Sequence, residues 1–167
     1  MIEASDSAAD AAIALEERPT GDFIDGYLAG LATVNAALAG APANSFFYSF
    51  DWIGDGSEPR ETSLLSAFQT SADQMSFEIS ALEDWRPEAS QLGVRWLGRD
   101  LAPEASQALA REFVDILDAF LAQQTAEVFR IKPLGPDGAP SPLGAAYDHM
   151  LFETLDGRLL LEFSMDG

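Results

Sequence analysis

Two kinds of hydrophobic spacing alternate along the chain. Between residues 23 and 39, Ile24, Tyr27, Leu28, Leu31, Val34 and Leu38 recur at intervals of three and four, which puts them on one face of an α-helix. Asp22 stands where an N-cap would sit, and Gly40 ahead of Pro42 supplies a stop. A second helix is predicted over 103–123. Pro103 opens it at a first position suited to a locked φ, and Leu109, Phe113, Ile116, Leu117, Phe120 and Leu121 share its apolar face.

Elsewhere the period shortens to two. Phe46, Tyr48, Phe50 and Trp52 fall on one side of a strand, and Met75, Phe77, Ile79 and Ala81 alternate with Ser76, Glu78 and Ser80 as a half-buried strand does. Leu92, Val94 and Trp96 suggest a further strand closed by Gly98, and 126–131 a short one. Residues 62–70 fit a short helix or a strand, and we read them as strand. Four prolines and three glycines between Lys132 and Gly144 predict a long exposed loop. Tyr147 to Phe163 form a two-strand pattern around Asp156-Gly157, a dipeptide that favours a tight hairpin. Pro87-Glu88-Ala89-Ser90-Gln91 recurs at Pro103 to Gln107, but the continuations diverge into a strand pattern and a helix, so chance or shared helix-start chemistry explains the match better than a repeat.

These elements describe an α+β domain: an antiparallel sheet with the two main helices packed on one face and a C-terminal β-hairpin. Residues 1–20, rich in Ala and acid and ended by Arg18-Pro19-Thr20-Gly21, predict a frayed or mobile acidic segment ahead of a single domain over 21–167. Composition agrees, since 47% hydrophobic and 10% aromatic residues supply a core.

Charge changes the picture more. Asp and Glu number 28 against 9 Lys and Arg, a net charge of −19. Such a field repels nucleic-acid phosphates and anionic lipid heads and speeds encounter with a basic protein surface, so we expect a basic protein partner, no nucleic acid and no membrane. The nine cations form no run, and the acids are dispersed, densest from Glu3 to Asp25. With no Cys there is no disulfide, thiolate metal site or cysteine nucleophile. The first residues carry acids where a secretory leader carries positive charge, and no apolar run reaches the length of a membrane span, which predicts a soluble cytoplasmic protein.

Candidate chemistry is sparse. The sole histidine, His149, neighbours Asp148, but a lone imidazole has no second one with which to share a metal, and a structural strand histidine explains it. Asp51, Asp55, Glu58 and Glu61 crowd one turn as in a calcium loop. Counting from Asp51, however, Ile53 occupies the third position, which needs a ligand oxygen, and Thr62 the twelfth, which needs a bidentate Glu. No Gly-x-Ser-x-Gly elbow, Walker loop or Gly-x-Gly-x-x-Gly occurs, and with 28 acids a carboxylate pair carries no specificity. No catalytic residue, metal ligand or cofactor is assigned. Of the aromatics, most go to the core; Trp85, between Asp84 and Arg86 in a polar link, is the candidate exposed anchor. Glu112, Asp115 and Asp118, on the outer face of the 103–123 helix, oppose its macrodipole and are candidate docking residues.

The stretch Tyr147-Asp148-His149-Met150-Leu151-Phe152-Glu153-Thr154-Leu155-Asp156-Gly157-Arg158-Leu159-Leu160-Leu161-Glu162-Phe163, about a tenth of the chain, resembles the closing hairpin of several families of small bacterial toxin-immunity proteins. That resemblance implies inhibition by tight binding to a toxin, often a basic nuclease masked by an acidic surface, and no catalytic residue. Two other classes compete. Small acidic secretion chaperones or adaptors combine helices with a half-exposed sheet, although their leucine-rich opening helix is not found here. A small-ligand pocket or enzyme site under the aromatic strand is the other.

Overall fold

The structure, a computed structural model, describes residues 19–166 apart from 123, 125, 142, 144 and 145. Most of the expected 1–20 segment lies outside them. Helix α1 (Gly21–Leu38) is capped by Thr20, whose Oγ1 accepts from Phe23 N at 3.1 Å; Asp22, expected as the cap, instead sits in the first turn, where its charge complements the helix dipole. Ile24, Leu28, Ala32 and Ala36 are buried, whereas Val34 and Leu38, expected on the apolar face, are about half exposed. Gly40, at φ +64°, ends the helix.

Strand β1 (Phe46–Gly54) follows, then a turn and a short helix, α2 (Arg60–Ala67). This corrects the strand expected over 62–70. The local pattern is ambiguous because only Ser63 and Leu64 are buried; what decides the conformation is a tertiary contact, described below. Strand β2 (Ser76–Leu82) leads to α3 (Arg86–Leu92), which runs on into one π-helical turn over Gly93–Leu97, closed by Gly98 N to Gly93 O at 2.9 Å. The strand expected over 92–96 is therefore helical. Ala89, Leu92 and Trp96, spaced three and four apart, are buried, and Val94 points outward. Both copies of the Pro-Glu-Ala-Ser-Gln motif thus open helices, the second beginning α4 (Pro103–Leu121).

Strand β3 (Glu127–Leu134) is longer than expected and includes Pro133, beyond the point at Ile131 where its pairing with the next strand ends. Strands β4 (Ala146–Thr154) and β5 (Gly157–Met165) make the expected hairpin, with Leu155 and Asp156 as its turn and Gly157, at φ +139°, already paired with Thr154. The sheet is antiparallel throughout, in the order β1-β5-β4-β3-β2.

The hairpin occupies the middle of that sheet and is buried on both faces. On one side Phe46, Tyr48, Phe50, Val128, Met150, Phe152, Leu159, Leu161 and Phe163 meet α1, α3, the π turn and α4. Phe163 is the hub of this layer, packed against Tyr48 at 5.2 Å, Trp96 at 5.9 Å and Phe113 at 6.1 Å between ring centroids. Aromatic pairs of this kind contribute about 0.5–1.5 kcal/mol each beyond simple burial. A buried polar node ties the layer together: Asn35 Nδ2 donates to Trp96 O at 2.8 Å and to the Tyr48 hydroxyl at 3.0 Å. The helices close tightly here, since a Cβ on Gly93 would lie 2.9 Å from Ala110.

On the other side Phe129, Ile131, Leu151 and Leu160 pack beneath Leu64 of α2. An ionic clamp fixes α2 in place. Glu153 accepts from Arg60 Nε at 2.9 Å and from Arg158 Nε at 2.7 Å, and the buried Arg158 also donates to Ser63 Oγ at 3.0 Å and to Glu58 O. The Arg60 guanidinium lies over the Phe129 ring, 4.1 Å from its centroid.

Burial of Glu153 works to raise its pKa, but the two guanidiniums outweigh it and hold the carboxyl below its ordinary value of 4.5. A depressed folded-state pKa gives stability that is fully present above that ordinary value and is lost as pH falls through the folded one. Glu153→Gln should therefore cost about 3 kcal/mol at neutral pH and flatten the acid limb of stability below about pH 4.5, read from denaturation midpoints across pH. Gly157→Ala, at positive φ and with a Cβ 2.5 Å from Gly54 O, should cost roughly 2–4 kcal/mol in the same assay.

Candidate partner-binding surface

Strand alternation separates the sequence neighbours Asp148 and His149 onto opposite faces of the sheet. Asp148 turns to the helices, where its Oδ2 accepts from Trp96 Nε1 at 2.7 Å and from Arg95 Nη1 at 2.8 Å. His149 turns to the α2 side and is buried. Its ring meets Phe68 edge-on at 5.0 Å, the nearest acid oxygen is Glu162 Oε1 at 3.7 Å from Nε2, and neither ring nitrogen has a hydrogen-bond partner among the described residues. The two residues cannot act as an acid–base dyad. Among the described residues no group of three or more His, Asp or Glu could hold a metal ion.

Trp85 is not the exposed anchor expected from its polar neighbours. It stands at the N-cap of α3, is 8% exposed and packs on Phe152 at 5.8 Å, and the Arg86 guanidinium lies over its ring at 4.9 Å. Its neighbours are polar because they surround the rim of a buried indole.

The three acids of α4 divide. Asp118 is held by Arg86, whose Nε donates to its Oδ2 at 3.0 Å. Glu112 and Asp115 are exposed, take part in no ion pair among the described residues, and line a groove of about 770 Å³ between the N-terminal turn of α1 and the middle of α4. Phe23, 54% exposed, and Ile116 form its apolar wall. Beneath Phe23 the Tyr27 phenol is pushed up to about 12 by burial and by the neighbouring Glu112 carboxylate. Asp115 also borders a smaller cleft, shared with Asp84, Arg86 and Pro87, at the start of α3. Phe23 is the residue that sequence reasoning missed. Its signal is an apolar side chain one position off the Ile24–Leu28 stripe, at the very start of a helix.

The cations are largely spent inside the molecule. Arg60, Arg86, Arg95, Arg99, Arg130, Lys132 and Arg158 all pair with carboxylates, which leaves Arg111, itself part of the groove's lining, as the one described basic residue outside an ion pair. No helix among the described residues is long and apolar enough to cross a membrane. Comparison with protein-family models, with curated proteins and with solved structures yields no match.

His149→Leu removes two buried polar atoms that have no hydrogen-bond partner among the described residues, and should leave stability unchanged or raise it by about 1 kcal/mol in thermal and denaturant unfolding. A loss above about 2 kcal/mol would show instead that the imidazole holds the fold together.

Proposed function

We propose that this protein is a noncatalytic binding domain that captures a basic protein partner in the cytoplasm, in the manner of a toxin-immunity protein. The observation that carries this reading is the pairing, in one groove, of exposed carboxylates outside any described ion pair, Glu112 and Asp115, with the exposed ring of Phe23. A lysine or arginine of the partner fits both at once: its aliphatic stem covers the ring while its charged head meets the acids. Because Glu112 and Asp115 are already exposed, the desolvation that such a contact demands is modest, and the surrounding negative field steers the partner before contact.

Affinity capture from the native host, followed by mass spectrometry and kinetics on the purified pair, tests this. The partner should be basic and bind one to one. Glu112→Lys with Asp115→Lys should slow association by about 10- to 100-fold while leaving the unfolding midpoint in place. Asp73→Lys with Asp156→Lys, on the loop before β2 and at the hairpin tip, should do much less. Equal effects from the two pairs would refute a local docking face.

A further inference from the structure

Strand β1 is an edge of the sheet, paired only with β5 among the described residues. Antiparallel pairing directs alternate residues' backbone groups toward and away from the neighbour. Phe50 marks the outward set, because its N–H leaves the sheet and donates to Asp25 Oδ1 of α1 at 3.1 Å. Phe46, Tyr48 and Trp52 therefore present their backbone groups outward as well. Natural sheets blunt such edges with lysine, proline or polar side chains. The opposite edge strand, β2, exposes Ser76, Glu78, Ser80 and Ala81, whereas β1 exposes Phe47, Asp51 and Trp52, the last 61% accessible. A groove of about 290 Å³ runs along this edge, walled by Ala29, Ala32 and Thr33 of α1 and carrying Asp25 and Asp51 on its two lips.

We propose that the outer edge of β1 takes an extended basic segment of the partner as a sixth strand. This rests on the reading of a basic protein partner and adds where, and in what conformation, part of it binds. The partner's backbone pairs with Tyr48 and Trp52, and one of its carbonyls takes over the Phe50 N–H, freeing the Asp25 carboxylate. With side chains alternating across the new strand, those on one side pass over the short residues of α1 toward Asp25, and those on the other lie beside Phe47 and Asp51. Both lips are acidic, so lysine or arginine at alternate positions matches the edge and an acidic strand is repelled.

The test uses the full chain labelled for NMR and three capped hexapeptides: alternating Lys-Val, the same peptide N-methylated at alternate residues, and alternating Glu-Val. The proposal expects Lys-Val to shift the amides of Tyr48, Phe50 and Trp52 and to slow their exchange at least tenfold. It expects Asp25→Lys with Asp51→Lys to weaken binding at least tenfold, the N-methylated peptide to lose the protection, and Glu-Val not to bind. If the N-methylated peptide binds as well as Lys-Val, or if the shifts gather on Glu112 and Asp115 alone, edge pairing is overturned while the basic-partner reading stands. If no basic peptide moves any resonance, both fail.

Discussion

Burial of the β4–β5 hairpin on both faces is the constraint from which the rest of the architecture follows. Met150, Leu151 and Phe152 on one strand and Leu159, Leu160 and Leu161 on the other leave no side of the hairpin that water could wet without exposing large apolar side chains. Two layers must therefore cover it. The broad one comes from α1, α3, the π turn and α4, closed around Phe163; the narrow one comes from α2, a helix of eight residues too short to be stable by itself. The clamp of Arg60, Glu153 and Arg158 compensates for that shortness. It attaches α2 to the hairpin through a carboxylate whose remaining exposure is small, and it also gives the buried Arg158 a counter-charge.

The same arrangement bears on the surface charge. Seven described cations are engaged in pairs within the chain, several of which bridge elements distant in sequence. What faces outward is the surplus of acid. Glu112 and Asp115 stand out within it because an apolar wall accompanies them, and an exposed ring beside a carboxylate suits a basic side chain better than either alone. The groove on α4 and the free edge of β1 flank α1, so a partner engaging both would grip that helix from two sides.

How much of this could be read from the sequence depended on whether local pattern or distant contact decided each element. The two long helices, the aromatic strand and the hairpin each carry enough same-face residues to specify themselves. Residues 62–70 do not, since α2 is fixed by Glu153 and Leu151, some ninety residues away. Residues 92–96 misled because Leu92, Val94 and Trp96 alternate over a window too short to expose the helical spacing of Ala89, Leu92 and Trp96. A clue to the second buried face was present: the unbroken apolar runs 150–152 and 159–161 are the mark of a strand covered on both sides, not of one with a wet face. Of the candidate docking residues, Glu112 and Asp115 are exposed as their helix position implied. Trp85 is not, because the polarity of a residue's neighbours does not report where its own ring points, and Asp118 is committed to Arg86 by a fold contact that no local pattern shows.

On the function proposed above, the surplus of acid left after the described cations pair within the chain selects a basic protein partner. The association rate constant of the captured pair, followed as salt rises from about 0.02 to 0.5 M, tests it most directly. A fall of more than about tenfold is expected, with the dissociation rate little changed. An association rate that stays flat across that range would contradict it.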